Sequence, residues 1–134
     1  MTDRHAALVH TMLLATGANR AMTEADRQIV GDIVNHLPVF ADYDQRRLSH
    51  DLEAGAELLA APNGLELVLD AISAALPPRL RETAYALACD VVAADGAATQ
   101  EELQFLELLR ERLAIDPLVA AAIERGARAR FTRA

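Results

Sequence analysis

An all-α fold, one domain built as a bundle of about seven helices, is predicted by three observations. Apolar residues recur at helical spacing along most of the chain and nowhere alternate as β-branched strands do. The 134 residues are 52% apolar but only 4% aromatic, with no Trp and many alanines, a composition suited to close helix–helix packing. The third observation is a repeat. Residues 15–26 (ATGANRAMTEAD) are echoed without a gap by residues 91–102 (VVAADGAATQEE). Asn19 and Arg20 fall on Asp95 and Gly96, Thr23 on Thr99, and Asp26 on Glu102. Farther on, Ile29, Val30, Ile33 and Leu37 fall on Phe105, Leu106, Leu109 and Leu113. Self-similarity of this kind predicts an internal duplication of a helical hairpin, with copies at about residues 5–37 and 81–113 and the middle helices at about 42–76.

The elements follow in order. A first helix over about residues 3–18 is apolar on most sides, which predicts a central position. Gly17 and Asn19 weaken its end. Thr23 then caps a second helix, and Asp26 sits three residues on, where a capping-box acid reaches back to the free backbone N–H. Such a cap contributes about 1 kcal/mol. Ile29, Val30, Ile33 and Leu37 form its predicted buried stripe, and Pro38 ends it near His36. Asp42 or Asp44 starts a third helix through Leu48, Leu52, Ala56 and Leu59. After the Pro62-Asn63-Gly64 break, a fourth runs through Leu65, Leu69, Ile72 and Leu76.

Pro77-Pro78 favours a sharp turn and a helix start. The fifth helix, about 78–94, carries Leu80, Ala84, Leu87, Val91 and Ala94 on one stripe, with Tyr85, Ala88 and Val92 beside it. Asp95-Gly96 turns the chain, and Thr99 caps a sixth helix expected to bury Leu103, Leu106, Leu109 and Leu113. Asp116-Pro117 opens a seventh. The tail then becomes basic, with Arg125, Arg128, Arg130 and Arg133.

A net charge of −7 argues against a nucleic-acid binder, because phosphate contacts need a positive footprint. The single cysteine, Cys89, excludes an intramolecular disulfide and a Cys-rich zinc site, and its apolar setting predicts a buried small hydrophobe. No leader-like or membrane-spanning stretch is evident, so a soluble cytoplasmic protein is expected. His5, His10, His36 and His50 show no metal-ligand spacing, and no phosphate loop, nucleophile elbow or H-E-x-x-H motif is present, so an enzyme is not expected. Asp90 interrupts an apolar helix and must be paired or neutralised. A salt bridge to an arginine or a rim position is the leading reading, ahead of a general base. The terminal arginines either answer the dipole of the last helix or bind an acidic partner or anionic head group.

Chemistry is sought first at the two turns. Asp95 and Glu102, with Glu101 beside them, could offer oxygens to a hard cation such as calcium or magnesium. The D-x-D-x-D-G ladder of an EF-hand is absent, however, and acids in a first helical turn are favoured by the helix dipole alone. Capping and cation binding therefore both stand as readings. The first turn offers Asn19 and Asp26, with Arg20 in place of the permissive glycine. If the turns meet in the fold, Asn19, Asp26, Asp95 and Glu102 form one shared metal site; if they lie apart, neither is a cage.

These residues resemble the TerB-like family, named for bacterial tellurite resistance. Its hallmark is a helix ending in Ala-Asp-Gly, a Ser/Thr cap, an acid three residues later and an amphipathic helix. Here that is Ala94-Asp95-Gly96, Thr99 and Glu102, followed by Leu103, Phe105, Leu106 and Leu109. The resemblance implies an all-helical domain with an internal duplication, spanning residues 1–134. It also implies a role in tellurite resistance or wider stress response, protein partners including a membrane-associated complex, and a metal site in the acidic turns. Carried over, that site comprises Asp95 and Glu102 and, through the repeat, Asp26. The first copy departs from the pattern at Asn19-Arg20. The expected function is a non-enzymatic binding module with no certain cofactor, a divalent cation (calcium or magnesium) being the candidate ligand of the acidic turns. The alternative is a structural protein-interaction module or homodimer with no metal.

Overall fold

Asp3 opens helix α1 (Arg4–Gly17) by accepting a bond from the Ala6 N–H at 2.8 Å. Every residue from Ala6 to Thr16 is then buried, so α1 has no solvent face. A helix of that kind forms only where others enclose it. The computed structural model describes residues 2–18, 20–96 and 98–134 and shows, among them, seven α-helices and no strand. The enclosing helices are α2 (Glu24–His36), α3 (Leu48–Ala60), α4 (Gly64–Ala75), α5 (Pro78–Ala94), α6 (Gln100–Arg112) and α7 (Pro117–Phe131).

α1 and α5 form the central pair and pack along one another. α3 and α4 cover α1 and lean on each other, while α6 touches both α1 and α5. α2 lies more against α5 than against its own hairpin partner, and α7 packs on α5. The core gathers Leu8, Met12, Leu14, Leu69, Ile72, Tyr85, Leu87 and Leu109, all almost fully buried. Each such side chain contributes about 1.5–3 kcal/mol. No helix among the described residues is long and apolar enough to cross a membrane.

α2 and α6 are both 13 residues long, and both begin at a capping box. Thr23 accepts from the Asp26 N–H and the Asp26 carboxylate accepts from the Thr23 N–H; Thr99 and Glu102 do the same. The turns ahead of them differ, since the positive-φ glycine is Gly17 in the first and Gly96 in the second, at non-equivalent positions. The likeness is thus one of cap and helix length, which does not by itself make the hairpins copies.

Three expectations require correction. The buried line of α2 is Val30 and Val34; Ile29 and Ile33 are half-buried and Leu37 is at the surface, because α2 leans onto α5. On α6, Leu109 and Leu113 are buried but Leu103 is 50% exposed and Leu106 only half-buried. α3 starts at Leu48: Asp44 instead caps a 3-10 turn, Gln45–Arg47, which leads into it.

The central helix tolerates buried polar groups because most bond locally. Thr11 and Thr16 donate to the Ala7 and Leu13 carbonyls at 2.8 and 2.7 Å. His10 differs. Its Nε2 lies 2.9 Å from the Asp51 carbonyl, which can only accept, so Nε2 carries the proton and buried Nδ1 is left without a partner. Burial therefore holds the imidazole below its ordinary value of 6.5.

Two predictions follow from this packing. A Cβ at Gly55 would stand 2.6 Å from His10 Cδ2 and 2.9 Å from Leu13 Cδ2, both buried, whereas one at Gly31 would meet nothing within 4 Å. Denaturant unfolding should find Gly55→Ala less stable by about 1–3 kcal/mol and Gly31→Ala more stable by about 0.5–1 kcal/mol. Because the folded state keeps His10 neutral, stability is full above pH 6.5 and declines as pH falls through the depressed folded value. A melting series across that range should show the decline in the natural protein and its loss in His10→Gln.

Candidate functional site

The paired capping boxes deliver the two turns to the same end of the central helix pair. A cleft of about 840 Å³ opens between them, walled by Gly17, Ala18 and Arg20 from the first turn and by Asp95, Thr99, Gln100, Glu101 and Glu102 from the second. Leu14, Leu65, Phe105 and Leu108 contribute its apolar surface. The turns therefore do meet in the fold.

Arg20 occupies the junction. Its Nη1 donates to Asp26 Oδ2 at 2.7 Å, and its Nη2 lies 3.5 Å from Oδ1. The arginine stem can lie over the end of α1 because residue 17 is a glycine, at φ +130°; a Cβ there would stand 2.9 Å from Arg20 Nε. The charged guanidinium is favoured first by its bond to Asp26 and further by the fields of Asp26, Asp95 and Glu102. Burial alone would push the Asp26 carboxyl up, but the bonds from Arg20 and Thr23 outweigh it and hold the acid below 3.8.

Of the expected metal ligands, Asp95 and Glu102 line one cleft, Asp26 lies behind it and joins it through Arg20, and Asn19 lies outside the described residues. They do not make a cation cage. Asp26 is buried, with Oδ2 shared by Arg20 and the Thr23 N–H, and Glu102 Oε1 accepts the Thr99 N–H at 2.8 Å. Among the described residues no three His, Cys, Asp or Glu side chains group closely enough to hold a metal ion. A calcium ion needs six to eight free oxygens. Here the guanidinium supplies the positive charge that a metal would bring.

Asp95 and Glu101, by contrast, are exposed and have no ion-pair partner among the described residues. They give the mouth of the cleft an uncompensated negative charge above an apolar floor. Asp90 is half-buried and ion-paired with Arg130, the salt bridge that the sequence favours over a general base.

Sequence reasoning did not find the role of Arg20, which reads there only as a missing glycine. The available signal was an arginine placed six residues before a capping acid across a short turn. It also did not find a second cleft, of about 720 Å³, between α5, α6 and α7. Buried Tyr85 donates to Glu124 Oε2 at 2.5 Å there, and Arg110 Nη1 lies 3.5 Å from the same oxygen. Burial and the bond to Glu124 both push the Tyr85 hydroxyl up, and burial pushes the Cys89 thiol up to about 12. A tyrosine in an apolar helix, whose hydroxyl needs a partner, was the clue.

No protein-family model, curated protein or solved structure matches this chain. The two clefts must be read from their own geometry.

Removing Arg20 leaves a buried carboxylate with only its backbone bond. Arg20→Ala should lower stability by about 1.5 kcal/mol, the low end for a bond to a charged group, since the guanidinium is half exposed. The contribution is full above pH 3.8 and disappears as pH falls through the depressed folded value. Acid titration of unfolding in the two proteins should therefore converge below that range.

Proposed function

We propose that this chain is a non-enzymatic binding module of the TerB-like kind, whose inter-turn cleft receives a cationic side chain of a partner protein. The observation that carries this reading is Arg20 itself, a guanidinium already seated on Asp26 within reach of the fields of Asp95 and Glu102. A planar guanidinium suits paired carboxylate oxygens, and the unpaired Asp95 and Glu101 at the mouth offer the same chemistry to a second one. The apolar floor at Leu65, Phe105 and Leu108 gives affinity to a basic segment that also carries aliphatic residues. Tellurite resistance and stress response, with a membrane-associated complex as partner, supply the setting through the resemblance in the second turn.

The divalent-cation version of the same module is the weaker one, because Asp26 is committed to Arg20. Titration calorimetry with calcium, magnesium, manganese and zinc is expected to give no heat at millimolar metal. A short basic peptide bearing leucines should bind, and Asp95→Asn with Glu101→Gln should weaken it about 3–10-fold at low salt, with the difference shrinking as salt screens the charges. Metal binding that disappears in Asp95→Asn would restore the cation version. Peptide binding indifferent to both substitutions would remove the acidic mouth as the recognition element.

A further inference from the structure

We infer that the cleft between α5, α6 and α7 is a binding site for a single-chain amphiphilic carboxylate of the fatty-acid type. The acidic inter-turn cleft plays no part in it.

α6 and α7 both pack on α5 but scarcely touch each other, which leaves a cleft of about 720 Å³ floored by α5. That volume lies within the range of about 300–1,000 Å³ for small-molecule sites. The chemistry of the lining then decides the occupant. The walls are aliphatic and aromatic: Val92, Ala93, Leu103, Leu106 and Phe131. Leu103 is 50% and Phe131 40% exposed, so the cleft accounts for two of the chain's few large apolar side chains left in water.

The charge at its edge selects the head group. Arg110, Arg128 and Arg133 line the cleft along with Glu107 and Glu124, giving a local balance of 3 − 2 = +1 in a chain of net charge −7. Glu124 is occupied by Tyr85 and Arg110, whereas Arg128 and Arg133 have no acid within ion-pair distance among the described residues. An alkyl chain along the apolar walls with its carboxylate at Arg128 and Arg133 satisfies both halves of the site. This gives the basic tail a role that capping the last helix does not exhaust, since Arg133 lies beyond the end of α7.

The test is titration of the full chain with dansyl-undecanoic acid, followed by displacement with palmitate and with hexadecanol, and separately sedimentation of the chain with phosphatidylglycerol vesicles free of fatty acid. Saturable binding and displacement by palmitate are expected, with the chain staying in the supernatant of the vesicles. Arg128→Gln with Arg133→Gln should weaken palmitate about 3–5-fold and leave hexadecanol unchanged. Leu103→Glu, at a half-exposed site in the first turns of α6 where an acid does not disturb the helix, should abolish binding while circular dichroism and melting stay as in the parent. Absence of saturable binding, equal losses for palmitate and hexadecanol in the arginine variant, or sedimentation of the chain with vesicles in place of palmitate binding would each overturn the assignment.

Discussion

Everything in this bundle depends on the burial of α1. Eleven consecutive residues of a 14-residue helix are out of water, so no arrangement with α1 at the surface is open to the chain. Enclosure by α3, α4, α5 and α6 is the answer, and it leaves α2 and α7 to cover α5. The polar groups inside obey the same constraint. Thr11 and Thr16 bond to their own helix. His10 bonds through one nitrogen and keeps the other bare, which makes it the acid-sensitive point of the core.

The same constraint positions the clefts. Because α1 and α5 form the central pair with their C-terminal ends together, the turns that follow them lie side by side. Arg20 can then reach Asp26 while feeling Asp95 and Glu102. The buried Asp26 carboxylate requires a cation beside it, and the chain provides one covalently. α6 separates the two clefts: Gln104, Phe105 and Leu108 face the acidic one, and Leu103, Leu106 and Arg110 face the apolar one.

Local chemistry was the legible part of the sequence. Thr23 with Asp26, Thr99 with Glu102, and Asp116 ahead of Pro117 mark helix starts because a cap needs only neighbours in the chain. The breadth of the apolar surface on α1 likewise announces its central place. What the sequence left undetermined was which neighbour each helix would meet. Ile29, Ile33 and Leu103 read as core from their spacing, yet α2 leans onto α5 and the outer face of α6 borders a cleft. Arg20 was illegible for a related reason: its second set of charged neighbours lies some 75 residues away, and only the packing of α1 on α5 brings them close.

Cys89 carries a consequence of its own. Cys89 is 3% exposed and burial pushes its thiol up to about 12, so at neutral pH it is both shielded and almost wholly unreactive toward alkylating reagents. Its chemistry becomes available only when the packing around the α5–α6–α7 cleft, which Cys89 lines, opens. The lone thiol is thus a built-in clock: the rate at which an added maleimide consumes it measures how often that packing opens, without any label having to be engineered into the chain.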